Sequence, residues 1–363
     1  MAAQMFHQGM YGRRDGFQSR ILEDFKATHK SRKWELREIA GHIVEFSGDQ
    51  HGSRLIQERL VSASSDEKQR VFDEILPNIL QLIQDVFGNY VIQKLFEQGT
   101  QIQKTRLAAE MEGRILSLSK QMYGCRVVQK AIEHILPEQQ AAIVHELEPN
   151  VLECIYDANG NHVIQKIIEV VSPEQLGFVY NFRGMVHSLA THTFGCRVLQ
   201  RALDRLPDGM IAPLVAELHT MTLNLMQNQF GNYVMQFLIE KGRPYDRALL
   251  LDKLRGRLLV MARHKFASNV CEKALKFSDA ETRRQLIDEI ISPRPEGAVV
   301  GWMMKDQYAN YVLQSALKLA DVDQREILIH QIRPHLVSIR LTNSNTKHLA
   351  TLEGLIQNPP QST

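Results

Sequence analysis

A chain of 363 residues can hold two average domains or one elongated repeat array. Its 44% hydrophobic and 23% charged residues suit a packed globular protein, and 43 basic against 41 acidic residues leave a formal charge of +2. That balance neither requires nor excludes a nucleic-acid partner, because acidic residues elsewhere can offset a basic face. The four cysteines, Cys125, Cys154, Cys196 and Cys271, form no CxxC pair and no Cys/His cluster with zinc spacing, so reduced thiols and no metal site are expected. No run of 18 apolar residues suggests a membrane span and no secretory core opens the chain, which predicts a soluble, cytoplasmic protein.

Residues 1–19 show little apolar period and read as a flexible tail, as do 357–363. Residues 20–46 carry a helical apolar pattern and begin a domain that runs to residue 356. Within it one string recurs eight times: HGSRLIQE, FGNYVIQK, YGCRVVQK, NGNHVIQK, FGCRVLQR, FGNYVMQF, FASNVCEK and YANYVLQS. The second residues are Gly52, Gly88, Gly124, Gly160, Gly195, Gly231, Ala267 and Ala309. Their steps are 36, 36, 36, 35, 36, 36 and 42 residues, the last lengthened by a Pro/Gly-rich loop, SPRPEGAVVGW (292–302). A fixed period of this size marks a repeat architecture.

Each unit reads as three short helices. In repeat two, Ile79, Leu80, Leu82 and Ile83 form an apolar stripe before the break at DVFG. Val91, Ile92, Leu95 and Phe96 then recur at the spacing of a buried helix face, and a third helix follows from TQIQKTRLAAEM. Strand alternation is absent. Such helices cannot bury their own apolar faces, so neighbouring repeats must stack into an all-α solenoid superhelix. Segments 20–46 and 324–356 carry the helical pattern without the full motif, as partial capping repeats would.

A polar stripe runs along the second helix of each repeat. At 100° per residue Asn89 and Gln93 lie about 40° apart, with Tyr90 about 100° from Asn89. Val91, Ile92 and Leu95 read as the opposite arc, so the stripe is expected to face away from the core. Its first position is Ser53, Asn89, Cys125, Asn161, Cys196, Asn232, Ser268 and Asn310. Asn and Ser after glycine are good helix caps, but cysteine is not a preferred cap and aspartate never occurs there. The position four later is Gln57, Gln93, Gln129, Gln165, Gln200, Gln236, Glu272 and Gln314. A solvated face would drift through many residue types, so this constancy argues for a shared partner.

Between them lie Arg54, Tyr90, Arg126, His162, Arg197, Tyr233, Asn269 and Tyr311. All but Asn269 are flat groups able to stack on a base. Cations often follow the Gln position: Lys94, Lys130, Lys166, Arg201 and Lys273. Stackers, amide readers and cations together describe a surface for single-stranded nucleic acid.

On these eight strings and the half-repeats at each end, the chain resembles the PUF (Pumilio homology) family over residues 20–356. In that family each repeat reads one RNA base with two or three side chains. The resemblance makes the first and fourth stripe positions base-edge contacts and the middle position a stacking contact. Side-chain chemistry limits the bases independently. A carboxylate only accepts, which suits the two donors of guanine to Glu272 with Ser268; uracil suits an Asn/Gln pair, and adenine a Gln beside a small Cys or Ser. Chemistry alone assigns Ser/Glu more firmly than it separates Asn/Gln from Cys/Gln.

The resemblance also implies an antiparallel RNA with its 5′ base in repeat eight, giving 5′-UGUAUAUA-3′. The uracils at Asn89 and Asn232 are then four nucleotides apart. Family members commonly carry Asn where Asn269 stands, so its guanine is expected to stack mainly on Tyr311. The implied role is binding of messenger RNA 3′ untranslated regions to lower translation or stability, by a monomer without cofactor. Repressor or deadenylase-complex proteins are implied partners on the convex face. The competing expectation is a HEAT- or armadillo-like protein scaffold, whose concave residues vary more freely than N/S/C and Q/E. An enzyme is not expected: HExxH, GxSxG and P-loop strings are missing, and acidic strings such as HELE (145–148) read as solvated faces.

Overall fold

The string GNYVIQKLFEQ folds as one eleven-residue helix, Gly88–Gln98. Its start is fixed from upstream: Asp85 Oδ1 accepts the backbone N–H groups of Phe87 and Gly88, both at 2.8 Å, supplying partners that the first turn of a helix lacks. The computed structural model describes residues 18–292, 297–341 and 346–357; of the expected tails 1–19 and 357–363, residues 1–17 and 358–363 lie outside them, whereas Ser19 caps the first helix and Gln357 ends the last. Asp49, Asp157, Asn228 and Asp306 repeat the Asp85 arrangement. His192 and His264 do so through Nδ1, which requires the proton of a neutral ring to sit on Nε2. The cap is therefore the residue three before the small residue, not the Asn or Ser after it.

Every described element is helical. In repeat two a five-residue helix, Ile79–Ile83, precedes the second helix, and a third, Gln101–Ala109, follows. Ile79, Leu82, Ile83, Val91, Ile92, Leu95 and Phe96 are buried as the periodicity predicts, whereas Leu80 is only half-buried. Repeat four departs from three helices: two 3-10 turns, Pro173–Gln175 and Gly177–Phe182, replace the third. Gly177, poor in helix interiors, separates them, while Phe178, Val179 and Phe182 still reach the core. The expected loop 292–302 is shorter than its composition suggests, because Ala298–Met303 is the first helix of repeat eight and buries Val300 and Met303.

The described chain forms two compact units divided after Pro149. In the first, helix Arg20–Thr28 and the 3-10 turn Leu36–Ile39 precede repeats one to three. Phe25 closes this end, with its ring 5.4 Å from Trp34 and 5.2 Å from Phe46. The second helices Gln50–Ser62, Gly88–Gln98 and Gly124–His134 pack side by side. In the second unit Gly160–Val170, Gly195–Arg205, Gly231–Lys241, Ala267–Phe277 and Ala309–Leu319 do the same, and helices Val322–Leu341 and Thr346–Gln357 follow.

The small residue opening each second helix is required by proximity. A Cβ on Gly160 would lie 2.5 Å from the Cys154 carbonyl oxygen, and one on Gly124 2.6 Å from that of Leu118. The first helix thus crosses the start of the second at backbone contact, and only Gly or, in repeats seven and eight, Ala occupies the crossing.

A second device recurs in alternate repeats. Gly41, Gly113, Gly184 and Gly256 take left-handed φ between 71° and 82° just before the first helices of repeats one, three, five and seven. A third-helix glutamate of the same repeat accepts the N–H groups this turn exposes. Glu146 takes Gly113 at 2.8 Å and Ile115 at 2.6 Å. Glu74 and Glu289 make the same pair of bonds, and Glu217 takes Gly184. The HELE string is therefore more than a solvated face, since its Glu146 is half-buried and ties two helices of one repeat together. Replacing Glu146 with alanine is expected to cost about 1–2 kcal/mol of stability. Urea unfolding would read this as a lower midpoint at unchanged slope, and an unchanged midpoint would contradict it.

Candidate nucleic-acid interface

The middle stripe residues all reach solvent. Tyr90, Tyr233 and Tyr311 are 41%, 54% and 46% exposed, and Arg54, Arg126, His162, Arg197 and Asn269 are also exposed. In the first unit Arg126 donates to Tyr90 Oη at 3.4 Å, so the flat groups of adjacent repeats come within reach of one another. Asn269 instead turns its amide back onto the Lys265 and Phe266 carbonyls at 3.4 and 3.3 Å.

The first stripe position corrects the expectation that the whole stripe faces away from the core. Asn89 and Asn161 are fully buried, and Ser53, Cys125, Cys196, Asn232, Ser268 and Asn310 are at most 5% exposed. The helical wheel gives the reason: residue 89 lies only about 20° from buried Phe96, seven residues on. Asn89 Nδ2 donates to the carbonyls of Asp85 and Val86 at 2.8 and 3.0 Å, which draws the side chain back over the first turn. Gln57, Gln93, Gln129, Gln165, Gln200, Gln236 and Glu272 remain half-buried, while Gln314 is buried.

The fourth position takes three arrangements, two set by the first residue and one by the change from Gln to Glu. Where the first residue is Asn, the Gln amide donates to its side chain: Gln93 to Asn89, Gln165 to Asn161 and Gln236 to Asn232 at 2.9 Å, and Gln314 to Asn310 at 3.1 Å. Where it is Ser or Cys, the Gln donates to that residue's backbone carbonyl. Gln57, Gln129 and Gln200 do so at 3.1, 3.0 and 3.1 Å. Glu272 can donate neither way; its carboxylate accepts from Ser315 Oγ at 3.3 Å. Burial holds this carboxyl above the usual range, only partly offset by Ser315 and the Lys318 charge. It faces a cavity of about 500 Å³ that is also lined by Lys273, Lys276 and Lys318.

The cations after the Gln position are less available than their spacing suggests. In the first unit Glu97 binds Lys94 at 2.6 Å and Lys130 at 3.1 Å, and Lys130 also binds Glu133 at 3.0 Å. Burial opposes ionisation of Glu97, but the two ammonium groups outweigh it and hold its carboxyl below the usual range. In the second unit Lys166 pairs with Glu169, Arg201 and Lys241 with Asp204, and Lys273 with Glu240. Lys130–Glu97, Lys241–Asp204 and Lys273–Glu240 link second helices of neighbouring repeats and the other pairs lie within one helix, so the row carries paired rather than unpaired positive charge.

All four cysteines are buried without a disulfide, and Cys125 and Cys196 sit at first stripe positions. Among the described residues no group of His, Cys, Asp or Glu could hold a metal, and no helix is long and apolar enough to cross a membrane. Sequence reasoning missed the cap three residues before each small residue. Its signal was present: Asp, Asn or His stands there in every repeat except the third, which has Gln121.

A model of the Pumilio-family RNA-binding repeat matches residues 42–76, 78–112, 114–148, 150–181, 186–219, 222–255, 257–291 and 300–333. Pumilio homolog 3 of Arabidopsis thaliana is 57% identical over 63 residues, 17% of this chain and 6% of that protein. A Pumilio domain-containing protein of Schizosaccharomyces pombe is 34% identical over 165 residues, 46% of this chain and 24% of that protein. These matches span at most about a quarter of the curated relatives' own length. The Puf3 RNA-binding domain, solved with a Cox17 RNA 3′ UTR recognition sequence, superposes with a TM-score of 0.85 at 35% identity, covering 93% of this chain and 100% of that one. Eight matched repeats on helices in register with the eightfold sequence motif place the chain in the Pumilio family of RNA-binding repeat proteins.

Proposed function

We propose that residues 20–356 bind single-stranded RNA one base per repeat, with preference for 5′-UGUAUAUA-3′. The observation that carries this reading is that the residue four before sorts the seven Gln side chains into two hydrogen-bonding states, while Glu272, with only acceptors, stands as a third. In every state but that of Glu272 the Gln retains one N–H and its carbonyl oxygen, enough for a bidentate pair with uracil or adenine. Asn89, Asn161, Asn232 and Asn310 add an amide oxygen and bulk, which favours the smaller uracil. Cys125, Cys196 and Ser53 leave room and present a small group, which favours adenine. Glu272 offers only acceptors, matching the adjacent N1–H and N2–H of guanine. RNA-bound relatives such as the Puf3 domain support the same class of ligand.

The exposed tyrosines, arginines and His162 then stack on base faces, each worth about 1–3 kcal/mol. The protein acts as a binder without catalytic residues or cofactor, in the cytoplasm, on messenger RNA 3′ untranslated regions, lowering translation or stability. Repressor or deadenylase-complex proteins would be recruited away from the RNA surface.

The Ser268→Asn/Glu272→Gln double variant is expected to shift the second base from guanine to uracil. Titrating it with UGUAUAUA and UUUAUAUA decides the matter, and an unchanged preference for the first RNA would overturn the assignment. Arg126→Ala should weaken all RNAs by a similar factor, because stacking has little base preference; a loss confined to one base at that slot would count against it. Guanine needs the ionised Glu272, whose carboxyl is raised by burial. Lowering pH from about 7.5 to about 5, where an ordinary glutamate stays mostly ionised, should therefore erode the preference for guanine over uracil at the second base. Glu272→Gln should abolish that pH dependence, and parallel profiles for the two proteins would exclude the mechanism.

A further inference from the structure

Phe25 and the loop after helix Arg20–Thr28, with one face of helix Gln50–Ser62 from His51 to Arg59, line an open cavity of about 470 Å³, within the roughly 300–1,000 Å³ span of small-ligand sites. It belongs to the first unit, and no base-edge position lines it. Of the stacking residues Arg54 alone does, so the cavity adjoins the slot of repeat one on its N-terminal side.

Its walls combine flat rings with positive charge. The His29 and His51 rings stack 4.6 Å apart at 28°. His29 Nδ1 donates to the carbonyls of Phe25 and Lys26 at 3.3 and 3.1 Å, which orients the ring. Five cations line the cavity against one acid, Glu58. Arg32 and Arg59 are committed to Glu38 and Glu35. Lys33 reaches Glu35 only at 3.7 Å with its side chain 76% exposed. Lys30 and Arg54 make no ion pair among the described residues. A ligand with a flat ring and a negative group fits this lining, and an RNA strand leaving repeat one supplies both.

We propose that this cavity holds the nucleotide immediately 3′ of the eight-base site. Its base lies against His51 and the outer face of Arg54, and its phosphate against Lys30 and Lys33. No Asn or Gln lines the cavity, so the ninth base is bound with little regard to identity. The assignment of the 3′ side rests on the strand polarity proposed above.

The test is an anisotropy titration of the whole chain with UGUAUAUA, with the same RNA extended by each single nucleotide at its 3′ end, and with 5′ extensions. The 3′ extension is expected to tighten binding about fivefold or more, similarly for all four bases. The slope of log affinity against log salt should steepen by about 0.7 for the added phosphate. The Lys30→Ala/Lys33→Ala variant should lose the gain while binding the octamer like the wild type, with unchanged thermal unfolding. Extended RNA that binds no tighter, or a gain that survives in the variant, overturns the proposal. A gain from 5′ extension alone that the variant abolishes would keep the cavity and reverse the strand. If UGUAUAUA is not preferred, the code fails separately; the extension is then read on the octamer selected from a random pool, where absence of a gain again overturns the cavity.

Discussion

In the six repeats with glycine the last carbonyls of the first helix lie against that glycine at the start of the second, with no room for more than a hydrogen, and alanine stands there in the other two. This backbone contact sets where the second helix begins and how far it rotates about its axis. Everything presented to solvent inherits that rotation. The residue at the middle stripe position is exposed in every repeat, and the Gln or Glu three residues beyond it is half-buried in all but repeat eight, where Gln314 is buried.

The upstream cap frees the next position. Asp85 and its equivalents satisfy the first N–H groups of the second helix, so the residue after the glycine does not have to cap. It can then be Asn, Ser or Cys at nearly constant backbone geometry, and that choice decides whether the Gln amide is held by a side chain or by the main chain. A change in local chemistry is thereby separated from the fold. That is the condition under which repeats can diverge in the base they favour while remaining one scaffold.

Charge serves the scaffold as much as the ligand. Glu97 between Lys94 and Lys130, and Asp204 between Arg201 and Lys241, join neighbouring second helices. Exposed pairs of this kind contribute little singly, but a ladder of them resists shear between repeats. The left-handed glycines and their third-helix glutamates add a brace in every other repeat, a two-repeat rhythm inside the one-repeat period.

The sequence alone determined the eightfold period, the helical class, the small residue at each crossing and the stripe beside the apolar face, because all of these follow from spacing along one chain. It also contained the Asp, Asn or His cap, although a cap three residues before a glycine does not look like a helix start. Tertiary structure decided the rest. Asn89 is buried because it stands beside the arc of Phe96 and bonds back to the preceding turn. Lys94, Lys130, Lys166, Arg201 and Lys273 are paired because acidic side chains one turn along, or on the neighbouring repeat, lie within reach. The basic cavity beside Arg54 joins residues about 25 positions apart that share no motif. Periodicity records which face a residue occupies; distances between repeats, and hence burial and pairing, exist only once the helices are packed.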